Sequence, residues 1–239
     1  MIVIKNVIGS IAVSLVLLAG VFSAGAIPLS PGQSTNAVGE LDPVGATLLF
    51  QTNKFFTSDS FSGTLISSVY SGDLSNNLGG LTFTYQFNID LGSADAAKSL
   101  TVGSTSGGFG GYLTDVSFQI PNIFDIAPDS VSRSPAATGG GRNITFDFAG
   151  NGYVLPGDTT AVLVIQTSAN GFILGNASLQ DDVALPNIVT LIPTTIPEPT
   201  SFALFSFGFI GLVGITYQKR QNRLKTKKQV CLPHPADEL

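Results

Sequence analysis

Leu81-Thr-Phe-Thr-Tyr-Gln-Phe-Asn-Ile-Asp90 alternates apolar and polar side chains without a break. Successive side chains of an extended chain point to opposite faces, so this stretch reads as a β-strand with one buried face. The pattern recurs on either side of it. Tyr112, Val116, Phe118 and Ile120 repeat the alternation around Thr114, and Ile144, Phe146 and Phe148 repeat it against Thr145 and Asp147. Phe61, Leu65 and Val69 suggest an earlier strand, and residues 47–50 another. Residues 161–165 form a continuous apolar run rich in β-branched side chains, which suits a central strand buried on both faces.

Turn formers separate these runs: Asn76-Asn77, Gly79-Gly80, Gly107-Gly108, Gly139-Gly140-Gly141, Asn151-Gly152, Pro156-Gly157-Asp158 and Asn170-Gly171. A short turn around residues 93–99 aside, nothing between residues 27 and 193 sustains a helical period. Short strands at this spacing, with no helices to cover a parallel sheet, predict an all-β, antiparallel β-sandwich over residues 45–188, preceded by an extended segment at 27–44.

The two ends differ from this middle. Residues 1–26 carry Lys5, an apolar stretch from Val7 to Phe22 and the small residues Ala24-Gly25-Ala26. That order predicts a secretory signal peptide cut after Ala26, with Ala24 and Ala26 marking the cleavage site. Residues 189–200 read as a stalk that ends in Pro197-Glu198-Pro199, where two prolines hold the backbone extended. Residues 201–217, SFALFSFGFIGLVGITY, hold no formal charge. As a helix they would reach roughly 25 Å, just enough for one transmembrane span. The segment 218–239 is a basic tail in which Lys219, Arg220, Arg223, Lys225, Lys227 and Lys228 follow the span. Positive charge on that side places the tail in the cytoplasm and the sandwich outside as an ectodomain.

Pro197-Glu198-Pro199, the apolar span and the basic cluster together resemble the PEP-CTERM sorting signal of bacterial exported proteins. The resemblance covers residues 196 to about 228, and the chain continues for eleven residues beyond it. It implies recognition by an exosortase-type membrane protease, single-pass residence in the membrane before processing, and surface attachment or secretion afterwards, in bacteria that make exopolysaccharide. Phe61-Ser-Gly63-Thr, Gly80-Leu-Thr-Phe83, Val131-Ser-Arg133-Ser and Leu163-Val-Ile-Gln-Thr167 resemble domains found ahead of such tails, without carrying an activity.

Composition narrows the chemistry. Between residues 27 and 196 stand four Lys and Arg against thirteen Asp and Glu, a balance that repels phosphate backbones and argues against nucleic-acid binding. Cys231 and His234 are the only Cys and His and both follow the basic cluster, so Ser-His-Asp, Cys-His and His-based zinc chemistry are excluded in the exported part. No cofactor or metal site is expected. Asp181-Asp182 with Asp125 or Asp129 is weighed as a calcium site against a solvated acidic turn, and the turn is preferred. Residues 107–112, Gly-Gly-Phe-Gly-Gly-Tyr, match no phosphate loop and read as a flexible hairpin connection. Arg133 and Arg142 are expected to pair with Asp129 or Asp147 at the surface. Asn143-Ile-Thr145 and Asn176-Ala-Ser178 match a glycosylation pattern by chance.

The expected function is therefore a non-catalytic, non-enzymatic surface or extracellular-matrix protein. An exopolysaccharide-binding module is the first alternative, disfavoured by the absence of Trp. A hydrolase using a carboxylate pair is the second.

Overall fold

In the computed structural model, described over residues 25–195 except 106, 121, 123, 124, 182 and 183, the alternating segments form two sheets. The first is built on β4 (Thr47–Thr57), β5 (Ser62–Ser71), β6 (Thr82–Ile89), β13 (Leu163–Thr167) and β8 (Thr114–Gln119), hydrogen-bonded in that order. Short strands extend it: β1 (Ile27–Pro28) and β3 (Gly39–Glu40) lie along β8, while β12 (Thr159–Thr160) bridges β6 and β9 (Asp125–Ile126). The second sheet runs β15 (Ala184–Thr194), β14 (Gly171–Gln180), β7 (Ser99–Gly103), β11 (Ile144–Asp147), β10 (Ser130–Arg133) and β2 (Ser34–Asn36). Every pairing in the second sheet is antiparallel; in the first, β3 with β8 and β12 with β9 are parallel. One four-residue helical turn, α1 (Ala136–Gly139), and a 3-10 turn at Ala149–Asn151 accompany the strands.

The decisive stretch behaves as its alternation predicts. Phe83, Tyr85, Phe87 and Ile89 of β6 enter one continuous core together with Leu100, Val102, Ile144 and Phe146 of the second sheet, so the two sheets share a single apolar interior. Phe87 meets Phe148 edge to face at 5.6 Å, and the Tyr85 hydroxyl donates to the Leu191 carbonyl at 2.6 Å. A buried phenol needs such a partner, because an unpaired hydroxyl in an apolar interior costs free energy. Burial also raises the Tyr85 pKa, so the hydroxyl keeps its proton. Residues 163–165 of β13 are fully buried and the strand is central, as the unbroken apolar run requires.

Four expectations change. Residues 189–194 belong to β15 rather than to a stalk, because their backbone pairs with residues 171–176 of β14. Tyr112 and Ile120 lie outside β8, which spans only Thr114–Gln119. Residues 107–112 do not form a flexible connection: Phe109 is buried, sits edge to face against Phe83 at 6.1 Å, and is flanked by the left-handed Gly108 and Gly111. A side chain at Gly108 would place its Cβ 2.6 Å from the Arg142 carbonyl oxygen.

The fourth concerns the arginines. Arg133 is buried and pairs with no Asp129 or Asp147 carboxylate; its guanidinium instead donates five hydrogen bonds. Nε reaches the Gly141 carbonyl at 2.8 Å, and Nη1 reaches the Leu29 carbonyl at 2.9 Å and Thr114 Oγ1 at 2.7 Å. Nη2 reaches the Phe109 and Tyr112 carbonyls at 2.5 and 3.0 Å. Five N–H groups in a rigid fork thus meet five acceptors, and removal from water lowers the Arg133 pKa from its ordinary value. Arg142 donates to the Thr105 carbonyl at 2.7 Å, while Asp129 and Asp147 accept from the backbone N–H groups of Asn151 and Ala149. Arg133→Lys, with three donors on one nitrogen, removes at least two of these five buried hydrogen bonds and is expected to cost about 3 kcal/mol. The shift of the urea midpoint at unchanged slope measures it.

Candidate functional site

The outer faces of the two sheets are finished differently. On the second sheet, Leu179, Leu100, Phe146 and Val131 stand in register across four strands and are fully buried. The next position along each strand points the other way. This gives the row Ser178, Thr101, Thr145, Ser132 and Ser34 across five neighbouring strands. At roughly 4.8 Å per strand, the hydroxyls form a line of roughly 20 Å. Thr101 and Thr145 are joined through their hydroxyls at 2.8 Å. The adjoining row, Gln180, Ser99, Asp147, Ser130 and Asn36, carries one formal charge.

Beside the hydroxyl line lies a shallow groove of about 200 Å³, lined by Thr101, Asn143, Asn176, Ser178 and Asn187 around Gly103. A Cβ at Gly103 would lie 2.2 Å from Asn143 Oδ1, so the floor requires glycine. Three of the lining residues, Asn143, Asn176 and Asn187, carry side-chain amides. Each amide offers two donors and an acceptor, and hydroxyls offer both. The hydroxyl line and the groove hold no formal charge and are polar, suited to a polyhydroxylated ligand rather than to an ion.

The first sheet is lidded. Glu40 at the end of β3 and loop residues 41–45 and 73–80 close over Ser117, Gln166 and Thr82, and Glu40, Asp42, Asp73 and Asn76 are buried there. Gln166 Nε2 donates to Asp42 Oδ2 at 2.6 Å, and Thr82 Oγ1 donates to Asp73 Oδ2 at 2.6 Å. Asp73 Oδ1 accepts from the Val44 and Ser75 backbone N–H groups and from the Ser75 hydroxyl. Asn76 Nδ2 ties the lid to the Gly80 and Thr167 carbonyls at 3.1 and 3.2 Å. Glu40 is 4% exposed, and its Oε1 has no hydrogen-bond partner, nor has the buried Ser117 hydroxyl. Burial first, then the neighbouring Asp42, raises the Glu40 pKa to about 8, so this carboxyl is largely protonated at pH 7. Desolvation also raises Asp115. The lid does not suit a hard cation, because donors already occupy Asp42 Oδ2 and both carboxylate oxygens of Asp73.

The residues singled out in the sequence are dispersed. Asp181 is buried and accepts from the Ser60 hydroxyl at 2.8 Å, rather than lying in a solvated turn. Asp125 accepts from Asn122, and Asp129 from Asn151. Among the described residues no group of three or more acidic, Cys or His side chains is placed to hold a metal. Asp182, Ala24, the motif Pro197, Glu198 and Pro199, and the cluster Lys219, Arg220, Arg223, Lys225, Lys227 and Lys228 lie outside the described residues, as does the apolar segment 201–217. Asn143, Thr145, Asn176 and Ser178, notable in the sequence only as chance glycosylation patterns, belong to the polar face. Its signal was the polar half of each alternating strand, whose alignment across strands depends on register. No family model matches the chain, and neither a curated protein nor a solved structure is similar enough to match it.

The Glu40 carboxyl generates a pH dependence. Its folded pKa lies above its unfolded value, so the stabilisation is complete below about pH 4.5 and is lost as pH rises through about 8. Thermal melts should show stability falling across that window by at most about 5 kcal/mol. Glu40→Gln should flatten this slope, leaving the smaller contribution of Asp115.

Proposed function

We propose that this chain is a non-catalytic protein exported to the bacterial cell surface or its extracellular matrix, sorted by a PEP-CTERM tail. The observation that carries this reading is the uninterrupted order of Pro197-Glu198-Pro199, an uncharged span and six basic residues. The boundaries of the folded part support it. Strand β1 begins at Ile27, the residue after the expected cleavage site, and β15 ends at Thr194, three residues before Pro197. The domain thus fits between the two signals. A membrane protease of the exosortase type is the partner that the tail calls for, and it would grip the extended proline motif outside the span. Peptide mapping of the mature protein from a host with such a protease is expected to find no peptide covering residues 202–210. The Glu198→Ala chain should retain it, and a wild-type mature chain that still holds these residues counts against the sorting role.

The polar face of the second sheet favours a more specific role, the binding of a neutral exopolysaccharide. Hydroxyl and amide groups in register present alternating donors and acceptors to a sugar chain. An extended run of linked pyranose rings advances per residue by a distance close to the strand spacing. Few aromatic rings are offered for stacking, so such binding would rest on hydrogen bonds and would be weak per site. In affinity gels containing a neutral polysaccharide, the chain should be retarded, and Asn143→Ala with Asn176→Ala should weaken retardation about tenfold, or roughly 1.4 kcal/mol. An unretarded wild-type chain would remove this role without touching the sorting role. Nothing favours the carboxylate hydrolase: Glu40 and Asp42 lie buried against one another within the lid rather than across a cleft.

A further inference from the structure

Strand β4 is the open edge of the first sheet: it pairs with β5 and, among the described residues, with no other strand. It is also the most exposed strand of the sheet. Leu48, Leu49, Phe50 and Phe55 are all exposed, Phe55 to 68%. Phe50 stacks on Phe172 of β14 at 6.0 Å. A groove of about 260 Å³ lies alongside, lined by Lys54, Phe55, Phe56 and, from β15, Ile188 and Val189.

Long, apolar edge strands are templates for further strand pairing, and proteins guard them with charges, prolines and bulges. Here Thr47-Leu-Leu-Phe-Gln-Thr-Asn-Lys-Phe-Phe-Thr57 has one charge, Lys54, no proline, and a single bulge at its start, between Leu48 and Phe50. In an otherwise acidic domain, the strand holds no acidic residue.

We propose that β4 is a homotypic edge, pairing antiparallel with β4 of a second copy of this chain about a two-fold axis through Thr52. Two arguments select this occupant and this register. Lipid would leave the free N–H and C=O groups of the edge without partners, whereas a second strand satisfies them. Centring on Thr52 sets Leu49 against the partner's Phe55, Phe50 against the partner's Lys54, Gln51 against the partner's Asn53 and Thr52 against the partner's Thr52. Apolar groups meet apolar groups, a cation meets a ring, and amide meets amide; such cross-strand pairs stabilise a sheet, and no like charges face each other. Moving the centre to Gln51 or Asn53 sets Leu49 or Phe55 against an amide instead. The two first sheets then become one continuous sheet, and neither polar face is covered. The inference does not depend on the sorting or glycan roles.

The test uses the full-length chain purified in detergent, with Cys231→Ser removing the native thiol. Thr52→Cys then places two thiols at the axis, where facing Cα atoms lie within disulfide reach. Under mild oxidation this variant is expected to form a covalent dimer. Thr47→Cys puts its thiols roughly 30 Å apart along the paired strands and should not cross-link. Adding Phe55→Lys, at an exposed position that leaves the fold intact, should lower the Thr52→Cys dimer yield about tenfold or more by setting a charge against Leu49. A Thr52→Cys chain that stays monomeric on oxidation, or equal cross-linking from Thr47→Cys, overturns the proposal. So does co-flotation with phosphatidylethanolamine–phosphatidylglycerol vesicles that Phe55→Lys abolishes while Thr52→Cys gives no cross-link, which would assign the surface to the membrane.

Discussion

The Arg133 guanidinium is the interaction on which most of the architecture depends. It sits at the end of β10 in the second sheet, yet its bonds reach Leu29 beside β1 and Thr114 of β8 in the first. Two further bonds hold the loop that carries Phe109 into the core, and one holds the glycine turn before β11. A buried carboxylate would have given one strong bond pair; backbone carbonyls and one hydroxyl give five points of attachment, each on a different part of the chain except for the two in one loop. The charge therefore stitches segments that the apolar core alone would leave free to slide.

With the sheets fixed in this way, their outer faces can serve different ends. The lid over the first sheet turns β13 into a strand buried on both sides and fills the layer above it with hydrogen-bonded polar groups. The second sheet has no such cover among the described residues, and its outward side chains are small or neutral. Small side chains on a regular sheet leave the surface flat, and the absence of long charged chains leaves its hydroxyls accessible. The same domain is thus thick and closed on one side, thin and open on the other.

Much of the first sheet was legible because alternation is a local property. Residues 81–90 announce β6, and the run at 161–165 announces the doubly buried β13, from sequence alone. What was illegible depended on pairing between distant segments. Arg133 looked like a surface cation because its five acceptors lie between 8 and 104 positions away. Glu40, Asp42 and Asp73 are separated in the chain and read as ordinary acidic loop residues until the lid folds over Gln166. The hydroxyl row was present as single Ser and Thr residues in five strands, and only register makes them a line. The end of β15 was hidden for a similar reason: Pro193 and the Thr-rich stretch around it read as a stalk, while pairing with β14 holds them in the sheet.

The lid has a further consequence when the proton is treated as a ligand. Near neutral pH the native state keeps Glu40 protonated while the unfolded chain does not, so folding takes up a proton and unfolding gives it back. Heat measured on unfolding will therefore contain a contribution from the buffer that accepts that proton. Calorimetry in buffers of different ionisation enthalpy would count the proton directly. The stability that this lid contributes is thereby coupled to the acidity of the medium around the domain.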